Sequence, residues 1–209
     1  MSHIKSITTR ASSDRLENLI AERLKPGANK EIIDKRIWDL FGEEWCIMFT
    51  DLSGFSRGVE KFGIIHFLQT IYESERLLIP VIDENDGILL KVEGDSFMVI
   101  FRNVEKAITA SIEMQRVLKV YNTDKLDEEK VLLCLGLGYG KVLKIGDADV
   151  FGPEVNAASK LGEDTAKAWE ILVTDSVKGA AKNYPNISFE KIAEVPPGAK
   201  EAYKIIYTL

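Results

Sequence analysis

Histidine is nearly absent from this 209-residue chain, which has only His3 and His66. His66 lies in the apolar stretch FGIIHFLQ and reads as a packed or capping side chain. With so few histidines, neither a Ser-His-Asp relay nor a zinc cluster can be assembled. Cysteine is equally scarce. Cys46 and Cys134 each sit in an apolar, strand-like run and read as reduced core thiols. Positive charge is not in surplus either: 27 Lys and Arg stand against 33 Asp and Glu, for a net charge of −6. That balance makes a nucleic-acid backbone an unexpected partner, and a small anion would need a local cation cluster or a metal to hold it. No apolar run approaches the ~20 residues that cross a bilayer. The N-terminal MSHIKSITTRASSDRL has no apolar leader. These absences predict a cytoplasmic protein without membrane insertion.

The composition that remains, 45% hydrophobic and 29% charged, is that of an ordinary globular chain with room for one well-cored domain and an appendage. Apolar residues recur at helical spacing over residues 12–24 and again from Lys30 to Phe41, with Pro26-Gly27 between them. We read residues 1–44 as a helical extension that packs on its own domain or on a partner chain, and residues 45–209 as the main domain. WCIMFTD (45–51) reads as a buried strand, followed by a helical region from about Val59 to Asn85 with breaks near Gly63 and Pro80. GILLKVEGDSFMVIF (87–101) is a hairpin, and residues 103–121 form an amphipathic helix. VLLCLGLGYG (131–140) is a strand on which KVLKIGD (141–147) is expected to pair back. Pro153 to Gly162 is a short helix, EILVTD (170–175) a strand and Ser176 to Lys182 a helix; ISFEKIAEV and AYKIIYTL close the sheet. Hairpins interrupt the crossovers, so the expected fold is α+β: a mostly antiparallel sheet flanked by helices.

Two acids occupy special places. Asp51 ends the first strand, and Asp95 follows Gly94 at the tip of the hairpin. If those strands are neighbours, the carboxylates converge at one end of the sheet, a donor pair that suits Mg²⁺ completed by substrate phosphates. Separately, each Asp could simply serve its turn. GLGYGK (136–141) lacks the spacing of a Walker loop and reads as glycines within a strand.

FTDLSGFS, LLKVEGDSF and DVFGPEVNAASKL occur in that order, and together they resemble the catalytic domain of the class III nucleotidyl cyclases, from about Trp45 to the C-terminus. The resemblance implies the ferredoxin-like cyclase fold and a cyclase that turns ATP into 3′,5′-cyclic AMP and pyrophosphate with two Mg²⁺ or Mn²⁺ ions. It assigns Asp51, Asp95 and the Leu52 carbonyl to the metals, and Leu52, Gly54 and Phe55 to the phosphates. Lys91 and Asp149 match the base-reading pair, Asn156 the ribose-orienting residue. Lys with Asp suits adenine, whose N1 accepts and whose 6-amino group donates; similar guanylyl cyclases carry Glu and Cys at these places. The resemblance further implies a homodimer paired head to tail, in which Asp95 serves one site and Lys91 the other.

Three departures stand out. Lys160 occupies the place of a transition-state arginine and lacks its planar fork; it could equally form a surface pair with Asp164. Pro197 precedes Gly198 where the family often has a phosphate-binding lysine, leaving Lys200 as a shifted substitute. Eight residues separate Gly140 from Asp149, a shorter arm than in similar cyclases. The departures keep open a second reading, a weak or inactive cyclase-like module that binds nucleotide or dimerises.

Overall fold

A computed structural model describes residues 11–54 and 62–209. Helices α1 (Ala11–Arg23) and α2 (Lys30–Phe41) form the extension. Asn29 caps α2, its side chain accepting from the Ile32 N–H at 3.2 Å. Leu19, Ile33, Ile37 and Phe41 are buried together against Ile145, so the hairpin of helices packs on its own domain. Arg23–Asp34 and Arg36–Glu22 pairs, at 2.6 and 2.7 Å, tie the two helices together.

Strand β1 (Gly42–Leu52) begins three residues earlier than the expected Trp45. Gly42 explains this: a Cβ there would lie 2.5 Å from the Trp38 carbonyl, so only glycine lets the last turn of α2 run straight into the strand. Helix α3 (Ile64–Glu84) starts after Gly63, whose φ is 85°, and continues through Pro80 without ending there. Buried Leu78, Val81 and Ile82 hold that turn to the core, which offsets the backbone bond that proline cannot donate. Strands β2 (Ile88–Glu93) and β3 (Ser96–Phe101) form the hairpin, and α4 (Val104–Tyr121) follows, capped by Asn103.

Residues 141–145 do not turn back on 131–140. They prolong one strand, β4 (Leu133–Ile145), and the hairpin partner is β5 (Asp149–Phe151). The early start of β1 supplies the reason, since Gly42, Glu43 and Glu44 pair with Leu143, Val142 and Lys141 and keep the chain extended. The turn waits until Gly146, at φ 56°. Helix α5 (Pro153–Ser159) then passes into a π-helical turn, Lys160–Thr165, where a continuous helix to Gly162 was expected. Strand β6 (Ile171–Thr174), helix α6 (Asp175–Ala180) and strands β7 (Ser188–Lys191) and β8 (Ala202–Ile206) complete the chain.

The sheet order is β2-β3-β1-β4-β6-β8-β7, with β5 paired to β4; among the described residues only the β4–β6 pairing is parallel. One face carries the main core, where Met48, Val99, Leu135 and Val173 meet Ile82 of α3 and Ile108 and Met114 of α4. The other face packs Trp45, Ile47, Met98 and Ile100 against Val155 of α5. Gly136 and Gly138 let α5 lie directly on β4. A Cβ at Gly136 would be 2.2 Å from both the Ala158 carbonyl oxygen and the Gly162 nitrogen. Among the described residues, no helix is long and apolar enough to cross a membrane.

Candidate active site

The convergence of Asp51 and Asp95 follows from strand register. The β1–β3 ladder runs to Phe49 opposite Met98, and Thr50 extends it by its side chain, accepting from the Phe97 N–H at 3.0 Å. Thr50 is 1% exposed, so this contact is shielded from water. Continued, the register sets Asp51 beside Ser96, the neighbour of Asp95. Asp95 itself sits in the two-residue turn between Glu93 and Ser96, and Gly94 takes the left-handed conformation (φ 63°) that such a tight hairpin requires.

The electrostatics bear out this proximity. Burial, reinforced by the charge of Asp95, pushes the Asp51 carboxyl up to about 7, against the stabilising Leu52 amide; Glu163 adds to the rise. Asp95 is raised as well, chiefly by burial, against hydrogen bonds from its own amide and that of Leu52. The two carboxyls are close enough to influence each other's protonation. Asp95 Oδ2 is buried and accepts no hydrogen bond. An unpartnered buried acceptor beside a second raised carboxyl is a donor set that a cation would satisfy. Among the described residues, no cluster of three or more His, Cys, Asp or Glu forms a complete cage. The pair therefore fits a hard cation that draws its remaining ligands from phosphate, backbone carbonyl and water, as Mg²⁺ or Mn²⁺ would.

The raised carboxyl has a measurable consequence. Between about pH 4 and 7, cation-free native protein holds a proton on Asp51 that the unfolded chain has released. Stability from this group is therefore greatest at the acid end and lost as pH rises through 7. Asp34, Asp127, Glu170 and Glu201 are shifted downward and lose their contributions only on the acid side. In EDTA, thermal midpoints of wild type are expected to fall between pH 5.5 and 8 relative to Asp51→Asn. Parallel profiles would contradict the shift.

Lys91 and Asp149 also meet. The β2–β3 register slips between Leu89 and Lys91, a bulge of the kind that re-aims a side chain, and Lys91 Nζ donates to Asp149 Oδ2 at 2.6 Å. Asp149 opens β5 and is fixed further by the Val150 N–H at 2.9 Å. The β4–β5 connection is the short turn Gly146-Asp147-Ala148, in keeping with a short arm.

Asn156 projects exposed from α5. Lys160 opens the π-helical turn and is paired with Asp164, which raises its already high pKa. Gly54 follows β1 in a turn with φ 87°; Phe55 lies outside the described residues. Lys200 is exposed, and it is its backbone N–H that is held, by Asp175 Oδ1 at 3.0 Å. The preceding Pro197-Gly198 loop packs on the start of α5, where a Cβ on Gly198 would be 2.4 Å from the Pro153 carbonyl oxygen.

Sequence reasoning missed two acids. Glu154 Oε2 accepts from the Tyr139 N–H (3.1 Å) and Thr174 Oγ1 (2.8 Å), and its Oε1 from Ser176 Oγ (2.9 Å), which clamps α5 to the sheet. Glu163 accepts from Ser96 Oγ at 2.8 Å and from Ser159 Oγ. No spacing pattern marks either; both depend on contacts across the fold.

Comparison with known proteins bears on the family and the fold. Residues 42–207 match the family described as the adenylate and guanylate cyclase catalytic domain. The serine/threonine-protein kinase pkn2 of Myxococcus xanthus is 26% identical over 162 residues, 76% of this chain and 19% of that protein. The putative adenylate cyclase 3 of Rhizobium meliloti is 23% identical over 144 residues, 69% of this chain and 24% of that protein. This chain thus spans about a fifth to a quarter of the length of these curated relatives. Among solved structures, an adenylate/guanylate cyclase/hydrolase from Silicibacter pomeroyi superposes with a TM-score of 0.68 at 20% identity, covering 80% of this chain and 99% of that one. The adenylyl cyclase CyaB from P. aeruginosa gives 0.66 at 19% identity, covering 80% and 96%. Over residues 42–207 the α+β fold is that of the nucleotidyl cyclases, and the chain belongs to the adenylate and guanylate cyclase catalytic domain family.

Proposed function

We propose that this chain is an adenylyl cyclase, converting ATP to 3′,5′-cyclic AMP and pyrophosphate at a site shared by two copies paired head to tail in the cytoplasm. The convergence of Asp51 and Asp95, with the orphaned Asp95 Oδ2, is the observation that carries this reading. In it, Asp51, Asp95 and the Leu52 carbonyl hold two Mg²⁺ or Mn²⁺ ions, which when bound lower the pKa of the ribose 3′-hydroxyl and offset the charge of the phosphates. Leu52, Gly54 and Phe55 lend backbone amides to the triphosphate, with Lys200 as an added cation. Lys91 donates to adenine N1 and Asp149 accepts from the 6-amino group; the 2.6 Å pair they form supports a reader set before the base arrives. Asn156 orients the ribose, and Lys160 offsets charge as the 3′-hydroxyl gives its proton to solvent, its oxygen bonds to the α-phosphorus and pyrophosphate departs. The protein's contribution is positioning and electrostatics.

Lys160 must leave Asp164 to serve this role, and because both side chains are exposed the pair opens at little cost. Lys160→Arg, which restores a planar fork, is expected to keep kcat or raise it by up to about tenfold. Lys160→Ala is expected to lower kcat at least about tenfold, and a wild-type kcat in that variant would remove Lys160 from the mechanism.

The Lys160–Asp164 pair, together with Pro197, favours a second reading, a non-cyclising module that binds nucleotide or dimerises. Incubation of micromolar protein with Mn²⁺ and ATP, with GTP in parallel, separates the two. Cyclic AMP supports the cyclase; ATP binding without cyclic product supports the module.

A further inference from the structure

Glu163 is exposed, yet it is held at both ends of a short bridge. Its Oε1 accepts from Ser96 Oγ at 2.8 Å, and Ser96 directly follows Asp95. Its Oε2 accepts from Ser159 Oγ, and Ser159 directly precedes Lys160. Its charge is felt at both Asp51 and Asp95. The π-helical turn puts it there. A Cβ at Gly162 would be 2.7 Å from the Phe49 carbonyl oxygen and 2.9 Å from the Gly136 nitrogen, so this glycine presses the turn onto β4 and onto β1 two residues before Asp51. π-Helical turns gather at functional positions because the extra residue redirects side chains that a regular helix would point elsewhere.

We propose that Glu163 is a positioning residue for the paired aspartates: through Ser96 it fixes the hairpin tip, and through its charge it strengthens the hold of that pair on a divalent cation. The inference rests on the reading of Asp51 and Asp95 as a cation site. It adds a partner outside the ligand set, of the kind that orients ligands and tunes their affinity. Because Ser159 is the last residue of α5, the bridge also joins the hairpin tip to the helix bearing Asn156.

The test is calorimetric titration of Mn²⁺ into the full chain, without nucleotide and without turnover as a readout. Wild type is expected to bind, and Asp95→Asn to lose binding. Glu163→Ala is expected to weaken affinity by about tenfold. Glu163→Gln, which keeps an acceptor for Ser96 but not the charge, should fall between wild type and Glu163→Ala, and Ser96→Ala should also weaken binding. All are changes of exposed or half-exposed side chains, and unchanged thermal unfolding identifies the effect as one on the site. Wild-type affinity in Glu163→Ala and Ser96→Ala, with Asp95→Asn still defective, overturns the role of Glu163 alone. Wild type that takes up no Mn²⁺ overturns this role and the cation site together.

Discussion

Replacing Asp95 by alanine is expected to lower cyclic AMP formation at least about a thousandfold, a loss of roughly 4 kcal/mol of transition-state stabilisation. Asp95 sits in a hairpin turn whose geometry comes from Gly94 and from the β2–β3 pairing, neither of which needs the carboxyl. Its Oδ2 is buried without a donor, and its charge raises Asp51, so in cation-free protein the group is a burden on the fold. The variant should therefore unfold at a temperature equal to or above that of wild type in EDTA at pH 8. Lost turnover with unharmed stability is the signature of a carboxylate kept for its ligand. Turnover at the wild-type level in Asp95→Ala would refute the metal assignment.

The second large effect concerns base selection. Lys91→Ala removes the donor proposed for adenine N1 and leaves Asp149, which is 27% exposed, without its 2.6 Å partner. Losing a hydrogen bond to a charged group is worth about 1.5–3 kcal/mol, so kcat/KM for ATP should fall roughly 10- to 150-fold. The corresponding value for GTP, whose base presents the opposite pattern at these atoms, should change far less. An equal fall for both nucleotides would make the Lys91–Asp149 pair a scaffold and not a reader.

How far the site could be read from the residues varies with the range of the contacts. The Gly94-Asp95 turn was legible because a glycine between alternating apolar residues signals a tight hairpin, and its geometry depends on neighbours in sequence. Asp51 at a strand end was legible for the same reason. Their meeting was not, since it needs β1 and β3 to be adjacent, and nothing local in 45–51 names its partner; the motif resemblance supplied that step. The length of β4 was misjudged because its far half is kept extended by Gly42, Glu43 and Glu44, residues taken as belonging to the helical extension. The π-helical turn escaped because its cause is Gly162 against Phe49 and Gly136, which no periodicity in KLGEDT encodes. Glu163 escaped with it. The pairing of Lys160 with Asp164 was legible at i,i+4, and the structure contains it.

The most direct test of the account is diffraction at the manganese absorption edge from crystals grown with Mn²⁺ and a non-cyclising ATP analogue. Two anomalous peaks bracketed by Asp51 and Asp95 of one chain, with the adenine against Lys91 and Asp149 of its partner, are predicted. Manganese bound elsewhere, or a base that ignores Lys91 and Asp149, would contradict it.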